Sequence, residues 1–214
     1  MRRFLIMAVA CLACVLFFRP CFATYWSDFV YDYHDLDGNG LFNGGIDYNG
    51  DGFFNGSDKK YKNAVSPEMA LGEPDASYVS ILSNEYIIVG FNKAFINGLG
   101  YDLCIVETGM GGEVGQIYVS NNGGNFSFVG TIRVPSSGSQ STQYGTRYWF
   151  DLGTLSGPFK YVKICGSEGG TTAGFDLSGV GAQTPVPVPG TALLLTSGLL
   201  SILGVRRMRP RIKT

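Results

Sequence analysis

Between residues 61 and 183 the apolar positions come in short runs, several of them alternating with polar residues, and none repeats with the 3.6 period of a helix. The runs fall at 78–82, 86–91, 101–107, 116–120, 126–132, 148–152, 160–165 and 175–180, with Gly, Asn, Ser and Pro between them. Such runs separated by turn residues predict an all-β fold, a sandwich or barrel. The clearest hairpin is IYVSNNGGNFSFVGTI at 117–132, where alternation continues on both sides of an Asn-Asn-Gly-Gly turn that tolerates positive φ. About 120 residues of this composition bury one ordinary core.

The two ends break this pattern. Arg2 and Arg3 precede an apolar run at 4–18 and a small-residue exit at Cys21-Phe22-Ala23, which predicts a secretory signal peptide over 1–23. At the other end TPVPVPG (184–190) leads into an uncharged apolar run at 191–205, and five Lys/Arg stand in the last nine residues. A Pro-rich spacer, a short apolar helix and a basic stop predict a tail in the membrane with its charges inside. Fifteen residues at ~1.5 Å each span roughly 22 Å, short of the ~30 Å hydrocarbon core. That length suits a signal held briefly and then cut. The order of these parts resembles the PEP-CTERM sorting tail of exported bacterial proteins, with Pro187-Val-Pro189 in place of Pro-Glu-Pro and Arg206-Arg207 as the basic stop. The resemblance implies processing by exosortase, a transient stay in the inner membrane through the 191–205 transmembrane helix, a basic cytoplasmic tail at 206–214, and a final place at the cell surface or in the extracellular matrix.

Removing both ends changes the charge. All 17 acidic residues lie between them against eight of the 16 Lys/Arg, so the body carries about −9, not the −1 of the whole chain. An acidic body excludes nucleic acid as a partner, because phosphates need basic patches, and is compatible with cations or glycans. Three of the five cysteines fall in the leader. Cys104 and Cys165 remain on predicted strands of an exported chain, and the sequence leaves open a disulfide or two buried thiols.

The acids have a pattern of their own. DLDGNGLFNGGI and DYNGDGFFNGSD are one twelve-residue unit written twice over 35–58. A hard cation takes oxygen ligands at loop positions 1, 3, 5, 9 and 12, a backbone carbonyl at 7 and a Gly at 6. The second copy fills every slot with Asp47, Asn49, Asp51, Gly52, the Phe53 carbonyl, Asn55 and Asp58. The first supplies Asp35, Asp37, Asn39, Gly40, the Leu41 carbonyl and Asn43 but has Ile46 at position 12, so a water or Asp47 must close its shell. These loops resemble those of dockerins and thrombospondin type 3 repeats, which implies Ca2+ as the cofactor. No long apolar helix follows either loop, so a dockerin-like, calcium-dependent protein-interaction module is the alternative. The segment 24–60 is expected to stand apart from the strands that follow it.

The order ALGEPD, FINGLGYDLCIVETG, IYVSNNGGNF, FDL, KYVKI and GFDLSGVG over 61–182 resembles the galactose-binding-like, discoidin-type jelly-roll domains of bacterial surface proteins. Where that family often ends in Asp-hydrophobic-Asp, this chain has Asp176-Leu177-Ser178. The resemblance implies a jelly-roll β-sandwich in a non-catalytic, structural or adhesive protein of the envelope or exopolysaccharide, with glycan binding as its open chemistry. Trp26, Tyr144, Tyr148 and Trp149 are the candidate sugar-stacking residues, with Trp149 also fit for the core, and 134–147 is the candidate variable loop. A carbohydrate-active enzyme is a weaker alternative. The chain has one histidine, His34, and Glu73, Asp75, Glu107 and Asp176 are acids expected near loop ends, where they would cap turns or hold a second structural cation.

Overall fold

Strand alternation carries the architecture. The computed structural model describes residues 22–45, 63–75, 77–109, 112–135, 144–167 and 174–185. Twelve strands appear among them: β1 (Phe22–Trp26), β2 (Phe29–His34), β3 (Phe42–Gly45), β4 (Asn63–Val65), β5 (Tyr78–Ile81), β6 (Tyr86–Phe95), β7 (Leu103–Glu107), β8 (Val114–Ser120), β9 (Ser127–Arg133), β10 (Thr146–Phe150), β11 (Phe159–Ser167) and β12 (Phe175–Pro185). One 3-10 turn, Pro67–Ala70, begins with proline in the position where a missing N–H costs nothing. Every one of the eight predicted runs is a strand.

The strands make two antiparallel sheets. One has seven strands in the order β10-β7-β12-β5-β3-β4, with β1 beside β12; the other has five in the order β2-β6-β11-β8-β9. Their facing sides form one core. Leu103, Ile105, Phe175, Leu177, Val79 and Phe42 come from the first sheet and Ile87, Val89, Phe91, Ile117, Val162 and Ile164 from the second. Phe91 joins Phe95 edge to face at 5.3 Å, and Phe95 meets Phe159 at 5.8 Å, so the interior is an aromatic seam with aliphatic walls. The result is an all-β sandwich.

Residues 24–45, the described part of the segment expected to precede the sandwich, belong to it. The compact unit runs from Thr24 to Thr184. β2 borders β6 and β3 lies between β4 and β5, so residues 35–41 of the first twelve-residue repeat connect the two sheets and its residues 42–45 are β3. β2, FVYDYH, is aromatic and β-branched but runs directly into the acidic repeat, whereas Gly and Asn dominate β3, FNGG, which lowers its β propensity. Pairing and burial of Phe42 against the core override that.

The 117–132 hairpin has the predicted turn. Ser120 Oγ accepts the Asn122 and Gly123 N–H groups, Asn122 Oδ1 accepts those of Gly124 and Asn125, and Gly123 has φ +77°. The expected transmembrane helix at 191–205, the sorting residues Pro187, Pro189, Arg206 and Arg207, and residues 1–21 of the expected signal peptide lie outside the described residues, while Phe22 and Ala23, its last two, begin β1. Among those described, no helix is long and apolar enough to cross a membrane.

Candidate functional site

The outer side of the five-stranded sheet follows from register. Opposite residues of an antiparallel pair share a face, and neighbours along a strand alternate. Since Ile87, Val89, Ile117, Val119, Val162 and Ile164 point into the core, the residues between them point out. They form three rows across the sheet. The first is Phe29, Gly90, Tyr161 and Ser120; the second is Asp32, Ile88, Lys163, Tyr118 and Phe128; the third is His34, Tyr86, Cys165, Gln116 and Thr131.

Two irregularities add side chains to this face. A bulge between Val30 and Asp32 sends Tyr31 outward, where its ring lies 4.5 Å from that of Tyr161. The register between β6 and β11 breaks between Phe159 and Tyr161, and the Lys160 ammonium there stands 6.0 Å from both the Phe29 and Tyr161 rings. Gly90 has no Cβ, and one placed there would overlap the Phe29 ring that lies across it. Lys163 Nζ sits 3.8 Å from the centre of the Tyr86 ring and 5.9 Å from that of Phe126. Tyr118 and Phe128 meet edge to face at 5.3 Å. Tyr31 and Phe128 keep 49% and 54% of their surface in solvent, so ring area is left to stack on.

The third row ends in a groove. Ser83, Asn84, Glu85, Tyr86, Gln116, Cys165, Gly166 and Ser167 line an open cleft of ≈ 430 Å³. Asn84 takes φ +70°, a left-handed conformation that Asn tolerates better than most residues. The Tyr86 hydroxyl donates to Asp32 Oδ2 at 3.1 Å and the Tyr118 hydroxyl to Gln116 Oε1 at 2.9 Å, which fixes both rings. Burial first and the Asp32 carboxylate second raise the Tyr86 pKa. An aromatic platform with amide, hydroxyl and ammonium groups at its rim is the chemistry that binds sugars.

The residues singled out from sequence lie elsewhere. Tyr148 packs on the core, and burial, then Glu107 and Glu113, push its hydroxyl up to about 12. Trp149 points away from the core on the seven-stranded sheet, 6.4 Å from Tyr101, which corrects its expected place in the core. Trp26 lies beneath Arg147, 5.6 Å from its guanidinium. Tyr144 is exposed at the end of the candidate loop, whose residues 136–143 are outside those described. Cys104 and Cys165 are free thiols on different sheets, each facing away from the core, so the disulfide alternative is not realised. Burial pushes Cys104 up to about 12 and raises Cys165, with Lys163 working against the latter shift. His34 is exposed on the platform, 5.9 Å from Tyr86.

The first twelve-residue loop is curled by its own side chains. Asp35 Oδ2 accepts the Gly40 N–H at 2.7 Å, Asp37 Oδ1 that of Asn39 at 3.2 Å and Asn39 Oδ1 that of Leu41 at 2.8 Å. Burial works to raise the Asp35 pKa, and hydrogen bonds to its own carboxylate, that of the Gly40 N–H first, outweigh it and lower it. Asp37, Asn39, Leu41 and Asn43 converge on a cavity of ≈ 140 Å³, although Asn43 belongs to β3, and Glu85 joins them from the β5–β6 turn. The Glu85 carboxylate is held by the Leu36 and Leu82 N–H groups at 3.1 and 2.8 Å. The oxygens are of the hard type a divalent ion takes, yet among the described residues no three His, Cys, Asp or Glu stand close enough to hold a metal. The second copy, with Asp47, Asn49, Asp51, Phe53, Asn55 and Asp58, lies outside the described residues.

Of the loop-end acids, Glu73 and Asp75 are exposed, while Glu107 and Asp176 are buried with Glu113. Burial, then Glu113 and Asp176, raise Glu107 to about 9; burial and Glu113 raise Asp176 well above the usual carboxylate range. Glu107 accepts the Gly109 N–H and shares a hydrogen bond with Glu113, and Asp176 bonds Ser80. Burial and mutual repulsion thus favour the protonated forms of Glu107 and Asp176.

Sequence reasoning missed the platform. Its signal was present as aromatic and lysine residues at alternate positions, Phe29/Tyr31, Tyr118 and Tyr161/Lys163, but only register places them side by side. No family model matches the chain, and no curated protein matches it. A pectin-binding carbohydrate-binding module of known structure is similar at a TM-score of 0.43 with 11% identity, covering 58% of this chain and 84% of that one.

Proposed function

We propose that this chain is a non-catalytic glycan-binding module of an exported protein, which contacts its ligand through the outer face of the five-stranded sheet. The observation that carries the reading is the aromatic platform beside an open polar groove: Tyr31, Tyr86, Tyr161 and Phe128 around Lys163 and Gln116. Sugars present apolar C–H faces and a rim of hydroxyls, which ring faces and amides match together. The clustered acids Glu107, Glu113 and Asp176 are buried, whereas hydrolysis of a glycosidic bond needs two carboxylates facing across a cleft.

In this reading the sandwich is a galactose-binding-like jelly roll. The 35–58 loops take Ca2+ as a structural ion, and the PEP-CTERM-like tail directs the protein through the inner membrane and exosortase to the surface or matrix. Binding of the full chain to a panel of polysaccharides, by affinity electrophoresis, tests it. Tyr86→Ala and Tyr161→Ala are expected to abolish retardation and Trp149→Ala to leave it unchanged; the reverse pattern moves the site to the seven-stranded sheet. Calorimetric titration with Ca2+ checks the loops, with Asp47→Ala/Asp51→Ala expected to remove the stronger site. Heat unchanged by that double substitution would exclude the second loop.

A further inference from the structure

We propose that the platform selects glycans that carry negative charge, with uronate chains as its ligand class; this rests on the reading of that face as a glycan site. The described residues include 13 Asp and Glu against five Lys and Arg. Three of those five cations, Arg133, Lys160 and Lys163, lie on this one face: Arg133 pairs with Val114 two residues beyond Thr131, on the same side of β9. Among the described residues of the three rows the acid is Asp32, which the Tyr86 hydroxyl already bonds, and Glu85 at the groove is buried with its carboxylate held by the Leu36 and Leu82 N–H groups. An acidic domain thus presents a cationic face.

The lysines are held where an anion would meet them. Lys163 lies 3.8 Å from the Tyr86 ring centre, and Lys160 6.0 Å from two others. A ring face restrains an ammonium without cancelling its charge, so less side-chain entropy is lost when a carboxylate arrives. Three residues of strand separate the two ammonium-bearing positions, roughly 10 Å, so a chain with a carboxylate on successive sugars meets both. A neutral glycan on the same rings would cover these charges without a partner, which is unfavourable. The same feature therefore favours one class and disfavours the other.

Short oligogalacturonates and the same oligomers fully methyl-esterified make a matched pair that differs in charge. Calorimetry with the full chain is expected to show the acid form bound about tenfold tighter in about 50 mM salt, a gap of ~1.4 kcal/mol, and the gap to close in about 500 mM salt. Lys160→Gln/Lys163→Gln should remove the preference and leave the esterified form bound as before, while Arg147→Gln, on the other sheet, should change neither. Arg133→Gln gives a partial loss should the double variant melt early. Equal affinity for both oligomers overturns the charge selection and leaves the glycan reading standing. Failure to bind either this pair or any polysaccharide of the panel overturns both.

Discussion

On the outward side of the seven-stranded sheet Tyr78, Ser80, Cys104, Val106, Asp176 and Ser178 are all buried, whereas the outward side of the five-stranded sheet leaves Tyr31 and Phe128 half in solvent and arranges rings around Lys163. The first side is roofed in part by the 71–75 loop, where Pro74 lies against Gly179 and Gly72 donates to Ser27 O at 3.1 Å. The hydroxyls of Ser27 and Ser178 are buried there without a hydrogen-bond partner among the described residues. Both sheets share one core, so the difference lies in what each does with its second face. A covered face stabilises; an uncovered face with ordered rings is available to a ligand. Substitutions on the two sides should therefore separate stability from affinity.

The largest effect belongs to the shared core. Phe175→Ala empties a fully buried site against Gly115 and should cost about 3–5 kcal/mol in urea unfolding, with ligand affinity of the folded fraction unchanged. Next comes the acid cluster behind the covered face. A carboxyl whose folded pKa stands above its ordinary value stabilises only while protonated. The contribution of Glu107 is thus complete below about pH 4.5 and lost as pH rises through about 9. Unfolding free energy should fall across that window by up to about 1.4 kcal/mol per pH unit for each such group, and Glu107→Gln should flatten the profile. A stability that rises with pH there would show that these acids are ionised against a counter-charge.

On the open face the order of effects reverses. Tyr161→Ala should lower glycan affinity by about ten- to a hundredfold and move stability by about 1 kcal/mol or less, read by calorimetry and thermal melting on the same sample. Gly90→Ala is subtler: its methyl would displace the Phe29 ring, at about 1–3 kcal/mol of strain, with a smaller loss of affinity than Tyr161→Ala. Least of all, the thiols should separate by face under alkylation at about pH 8, Cys165 reacting slowly and Cys104 only on unfolding. Equal rates would place Cys104 on an open surface.

How far the sequence reached differs by element. The hairpin at 117–132 was legible because alternation and turn chemistry are local, and its Asn122-Gly123 turn forms as the residues require. The strand at 42–45 was not, because its Gly and Asn content suits a loop and only pairing to β4 and β5 makes it a strand. The one at 29–34, FVYDYH, has strand residues but abuts the acidic repeat, and its pairing to β6 is set by tertiary structure. Trp149 and Tyr148 exchanged their expected sides, since which residue of a strand faces inward is decided by the sheet it joins.

From the chain alone came the all-β class, eight of the nine described strands of the 61–183 body and the acidic balance, each set by the order of neighbouring residues. Only tertiary structure brought Tyr31, Tyr86, Lys163 and Phe128 together, because they come from four strands far apart in sequence and their adjacency exists only once register is chosen. It likewise decided that Glu107, Glu113 and Asp176 are buried together, since a carboxyl's charge state follows from the water and charges around it, and those are supplied by distant segments.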